Sequence, residues 1–140
     1  MHRYLVVSHL TLDSPQLLDA IRDRSSAGPA TFHLLVPLNH GSGFVWSEGQ
    51  VLDEAERRME EARLRLVQLG YAVSGEIGDD SPVTSVDNVL RREGPDRFEE
   101  IIVSTLPTKT STWIGMDAPA RIRRRTGIPV THLVAAMAQH

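Results

Sequence analysis

Short, nearly continuous apolar runs occur at Tyr4–Val7, Phe32–Val36, Ile101–Val103 and Val130–Val134. Runs of this length predict strands buried on both faces, and so parallel strands covered by helices. Tyr71–Ile77 follows a different rule. Tyr71, Val73 and Ile77 alternate with Ala72, Ser74 and Glu76, the period-two pattern of a half-exposed strand at a sheet edge. Between these runs the spacing changes to that of helices. Over Glu48–Leu69, Leu52, Ala55, Met59, Ala62, Leu66 and Leu69 recur at threes and fours and form one apolar stripe. Glu54, Arg57, Arg58, Glu61 and Arg65 occupy the opposite face, several as i, i+4 pairs of opposite charge. Ser14-Pro15 and Ser81-Pro82 are paired start signals, a serine cap followed by proline at the first helical position. Gly28-Pro29 and Gly94-Pro95 end those two helices. A fourth helix runs from near Asp117, placed to cap it, to Gly127.

Strand and helix therefore alternate four times before a fifth strand. That order predicts one α/β domain over 1–140, a five-stranded parallel sheet with helices on both faces. Composition agrees: 140 residues, 41% hydrophobic and 24% charged, with no composition shift or repeat to mark a boundary. The formal net charge of −3 argues against a general nucleic-acid binder. With no cysteine, a disulfide scaffold, a thiol nucleophile and an iron–sulfur cluster are excluded. No apolar run approaches the ~20 residues of a membrane helix, and the first residues lack a signal-peptide stretch. The expected location is the cytoplasm, with no membrane partner.

In open sheets of this kind ligands bind at the carboxyl ends of the strands, where strand order reverses. Those ends carry Ser8-His9, Asn39-His40, Gly78-Asp79-Asp80 and Ser104-Thr105. The long segment from Ser104 to Asp117 holds hydroxyls at Ser104, Thr105, Thr108, Thr110, Ser111 and Thr112 together with Lys109. Ahead of a helix N-terminus, such groups suit phosphate or ribose. Asp117 opposes this, since its carboxylate repels phosphate. His9 and His40 lie at neighbouring strand ends and suggest acid–base chemistry, weighed against two ordinary loop histidines. His33 and His132 fall inside strands and read as core or interface residues. Gly41-Ser42-Gly43 is too short for a dinucleotide fingerprint. Ser8, Thr11 and Ser14 resemble a phosphate loop only loosely, for want of glycine. Asp79-Asp80 is a favourable charge ahead of a helix. No nucleophile–base–orienter set can be assembled along the chain, and no metal motif is present, so no catalysis is expected.

Ile101-Ile102-Val103, the loop after it, Ala120-Arg121-Ile122-Arg123-Arg124 and Gly127-Ile128-Pro129-Val130 follow one another as in the universal stress protein family. Gly78-Asp79-Asp80-Ser81-Pro82 is similar to a short turn of that family. The resemblance covers nearly the whole chain. It implies a Rossmann-like sheet of order 3-2-1-4-5, a stress-response or regulatory binding role, and a homodimer formed through the last strand. Nucleotide-binding members carry G-x2-G-x9-G-[ST] after the fourth strand. On that spacing the glycines fall at Ser104, Pro107 and Asp117, and the hydroxyl at Ala118. All four are replaced. Pro107 has no N–H to offer a phosphate, and Ser8-His9 stands where the family tends to place an aspartate. The residues of this site are accordingly Ser8, His9, Ser104, Thr105, Thr108, Asp117 and Ala118. The expectation is no bound cofactor and an altered or lost ATP site. Two alternatives stand beside it: an ATP or AMP binder using the hydroxyls of 104–118, and a small hydrolase or transferase using His9 and His40.

Overall fold

The computed structural model describes residues 1–8, 11–38, 48–79, 81–107 and 117–135. The elements are β1 (His2–Ser8), α1 (Pro15–Ser26), β2 (Ala30–Val36), α2 (Glu48–Gln68), β3 (Ala72–Ile77), α3 (Pro82–Glu93), β4 (Glu100–Thr105), α4 (Ala118–Thr126) and β5 (Val130–Val134). All strand pairs are parallel, and the sheet order is β3-β2-β1-β4-β5. The fold class, the strand order and the alternation read from the sequence are those observed.

The start signals work as the residue types require. Ser14 and Ser81 sit in extended conformation and accept hydrogen bonds from Leu17 N–H and Thr84 N–H, each with proline opening the helix. Gly127 ends α4 with φ 71°, a left-handed turn that glycine adopts without strain. The start of α4 departs from expectation. Asp117 is at the cap position, but its φ of 56° and ψ of 40° are left-handed, and its side chain makes no capping bond. A side chain caps N–H groups from an extended backbone, which Asp117 does not have.

Successive strand residues point to opposite faces, and this splits the core in two. Leu5, Val7, Leu35, Ile101 and Val103 pack against Val83, Val86 and Leu90 of α3 and Ala118 and Ile122 of α4. Tyr4, Val6, Phe32, Leu34 and Ile102 pack against Leu17 and Ile21 of α1 and Ala62 and Leu66 of α2. Ile21 is fully buried, a gain of about 1.5–3 kcal/mol. On that face Tyr4 stacks on Phe32 with ring centroids 5.3 Å apart.

The apolar stripe of α2 is narrower than its spacing suggests. Ala55, Ala62 and Leu66 are buried, whereas Leu52 and Leu69 are exposed. They lie near the two ends of a 21-residue helix that packs chiefly on the six-residue β3. β5 also differs from the buried reading of Val130–Val134. Among the described residues it pairs only with β4, and its residues are half-buried or exposed, with Val134 45% exposed. An apolar run at a sheet edge has a strand on one side only. Among the described residues no helix is long and apolar enough to cross a membrane.

Candidate functional site at the carboxyl ends of the strands

The chain runs outward from β1 to β2 and β3, then returns to place β4 on the other side of β1. The crevice of an open sheet therefore falls between the ends of β1 and β4. Ser8 and Ser104 are the paired residues there. Thr11, in the connection to α1, joins them. Its Oγ1 lies 2.7 Å from Ser8 Oγ and 2.7 Å from Ser104 Oγ, and its hydroxyl reaches the Ser104 carbonyl at 3.2 Å. All three are almost wholly buried: Ser8 0%, Thr11 2% and Ser104 1% exposed. Hydrogen bonds among these buried hydroxyls offset the cost of taking them out of water. Thr11 was legible as a loop hydroxyl but not as the bridge between two strands 93 positions from its far partner.

Thr105 does not join this group, because the residue after Ser104 points to the other face of the sheet. Its Oγ1 and His132 Nε2, on β5, share a hydrogen bond of 2.8 Å. Burial pushes the His132 imidazole below its ordinary value. His132 is thus an edge residue bonded to a neighbouring strand rather than a core one. Ala118 is fully buried at the start of α4, and Asp117 is exposed. Asp117 is also the one non-glycine residue with positive φ among those described. His9, His40 and Thr108 lie outside the described residues, as do 109–116 of the hydroxyl-rich segment and Asp80.

Further polar clusters lie away from the crevice. Arg24 of α1 donates through Nε and Nη2 to both carboxylate oxygens of Glu100, at 3.1 and 2.8 Å, and Thr131 of β5 donates to the same carboxylate. Burial raises the Glu100 carboxyl, but the hydrogen bonds from Arg24 and Thr131 outweigh it and hold the group below its usual value. At the other end of the sheet, His33 of β2 bonds Ser74 and Glu76 of β3, and Arg92 of α3 bonds Glu76. His33 is half-buried in this polar network, not in the apolar core. A groove of about 280 Å³ is lined by Leu12, Asp13, Arg57, Arg58, Glu61 and their neighbours on α2. Its Arg57 and Arg58 are engaged by Glu54 and Glu61, so the charge of these two is offset within the helix. The described residues contain no group of three acidic or histidine side chains placed to hold a metal.

Neither a family model nor a curated protein matches this sequence. Solved structures do. The hypothetical protein PH0823 is similar over 99% of this chain and 100% of its own, with 16% identity and a TM-score of 0.60. A universal stress protein family protein from Arabidopsis thaliana, solved with AMP bound, is similar over 97% of this chain and 93% of its own, at 14% identity and TM-score 0.56. A universal stress protein family member from Burkholderia pseudomallei covers 94% of both chains, at 15% identity and TM-score 0.56. At these identities the likeness is one of fold. The chain has the fold of the universal stress proteins.

Proposed function

We propose that the chain is a universal-stress-protein-like regulatory or stress-response binding protein whose adenine-nucleotide site is altered or lost. The observation that carries this reading is the closed cluster of Ser8, Thr11 and Ser104 at the switch point of the sheet. Its hydroxyls are spent on one another where a nucleotide would need outward-facing donors. Two features at the rim support it. Pro107 has no N–H to give a phosphate. At Asp117 the backbone keeps the left-handed turn, a conformation suited to glycine, while its side chain presents a carboxylate to any phosphate there. Together these features support a site altered or lost for a triphosphate.

A second reading rests on one observation: the similar protein from Arabidopsis thaliana holds AMP. In that case the hydroxyls of 104–118 replace the glycines. Either way, an open β5 edge bearing the exposed Val134 supports pairing with a second copy of the chain, since apolar edges are normally covered.

Thermal unfolding with and without ~1 mM Mg·ATP, AMP or cyclic AMP separates the readings. A ligand at about a hundred times its Kd stabilises by ~2.7 kcal/mol, a rise of roughly 5–10 °C for a domain of this size. The wild-type protein is expected to show no rise. A rise of that order with any of the three overturns the lost-site reading and establishes the second. The double variant Pro107→Gly with Asp117→Gly is expected to gain ATP affinity. No gain would show that these two positions are not what blocks the site.

A further inference from the structure

We infer that the open edge of the sheet carries an acyl-transfer centre, with Ser74 as nucleophile, His33 as its general base and Glu76 as the residue that orients the base. The register aligns His33 of β2 with Ser74 of β3. Ser74 and Glu76, two residues apart, share one face of their strand. His33 Nδ1 lies 2.7 Å from Ser74 Oγ, and His33 Nε2 lies 2.5 Å from a Glu76 carboxylate oxygen. This is a nucleophile, a base and an orienting group in hydrogen-bond contact, the arrangement that activates a serine.

The protons fall into place from the partners. Hydrogen bonds from Arg92, and then from His33, hold the Glu76 carboxyl below its usual range despite burial. A carboxylate only accepts, so Nε2 carries the proton toward Glu76. In the neutral ring Nδ1 is then the acceptor, facing the Ser74 hydroxyl. Arg92 Nη1 and Nη2 both reach Glu76, one to each oxygen, which fixes the orienting group in turn. Ser74 is exposed, so an incoming acyl group can reach it.

β3 is an outer strand, and among the described residues β2 is its only neighbour in the sheet. The Gly78 N–H bonds the Val36 carbonyl on β2. Alternate residues of a parallel strand turn their backbone groups the same way. The N–H of Gly75, directly after Ser74, therefore faces the open side, where it can bond an acyl oxygen.

The reaction is ester cleavage through a covalent intermediate. Ser74 Oγ bonds to the ester carbonyl carbon, its proton passes to His33 Nδ1, and the carbonyl π pair moves onto oxygen. When that pair returns, the bond to the leaving oxygen breaks, and the leaving group takes the proton from His33. Water then adds to the acyl-serine by the same route and releases the carboxylic acid. One backbone donor supplies modest stabilisation of the oxyanion, so the substrates that suit this centre are small, unhindered acyl esters with a good leaving group.

The test uses the full chain with p-nitrophenyl acetate, reading p-nitrophenolate release and the site of acetylation by peptide mass spectrometry. Acetylation is expected on Ser74. His33→Ala is expected to slow it by about 10²-fold or more, the usual contribution of a positioned base. Ser74→Ala abolishes it, and Ser74→Cys retains acyl transfer, with an unchanged thermal midpoint verifying that each variant folds. Glu76→Gln is expected to lower kcat with KM unchanged, whereas a merely structural role would lower the unfolding midpoint instead. Wild-type release at the rate of Ser74→Ala, or acetyl found on another residue, overturns the proposal.

Discussion

Replacing Thr11 by valine keeps the shape of the side chain and removes its hydroxyl. In the folded protein that hydroxyl bridges Ser8 and Ser104, at 2.7 Å to each, in a place where none of the three exceeds 2% exposure. Thr11→Val leaves two buried hydroxyls each short of a partner. A buried polar group left unsatisfied costs about 1–3 kcal/mol. Partial re-pairing of Ser8 with Ser104, which are aligned neighbours, offsets some of this, so the expected loss is about 2–4 kcal/mol. Against a typical total of ~5–15 kcal/mol that is large. Urea unfolding reads it directly, as a lower midpoint with an unchanged slope. The triple variant Ser8→Ala, Thr11→Val, Ser104→Ala removes every hydroxyl of the cluster, leaving only the residue-104 carbonyl without its bond from position 11, and should be less destabilised than Thr11→Val alone. A Thr11→Val protein within about 0.5 kcal/mol of wild type, the range of an ordinary surface substitution, would refute the reasoning. It would mean that water reaches the hydroxyls and that the crevice is open, and the principal support for a lost nucleotide site would go with it.

Two further outcomes follow from the packing and the ion pairs. A Cβ added at Gly78 would lie 2.5 Å from Ser85 Oγ and 2.8 Å from Ser85 Cβ, and Ser85 Oγ accepts the Asp79 N–H at 2.8 Å. Gly78→Ala should therefore lower stability by about 1–3 kcal/mol; a thermal midpoint equal to wild type would show that α3 can shift freely. Glu100 has its carboxyl held below the usual value in the fold, by Arg24 and Thr131 against burial. Its contribution is present above the unfolded-state pKa of about 4.3 and is lost as pH falls through the lower folded value. The stability difference between wild type and Glu100→Gln should thus be constant near neutrality and shrink below about pH 4. A difference that grows on acidification contradicts the assignment.

Much of the architecture was legible along the chain, because its signals are local. Ser14-Pro15 and Ser81-Pro82 set helix starts through bonds spanning three residues. The alternation at Val73, Ser74 and Glu76 marks a half-exposed edge strand, which β3 is. Alternating strands and helices, with covered faces, leave few topologies for a parallel sheet. Other properties depend on which strands become neighbours and in what register. Nothing near Thr11 in sequence indicates that it meets Ser104, 93 positions away, nor that Ser104 and the adjacent Thr105 serve opposite faces. His33 sits in an apolar run, and only the pairing of β2 with β3 brings it to Ser74 and Glu76, 41 and 43 positions on. Asp117 was placed correctly at the start of the last helix, but its backbone is left-handed and its carboxylate makes no capping bond. Periodicity and caps are fixed by contacts within a turn or two of chain, so the sequence determines the elements and their order. Cross-strand chemistry requires the register of the assembled sheet, and the tertiary structure alone decides it.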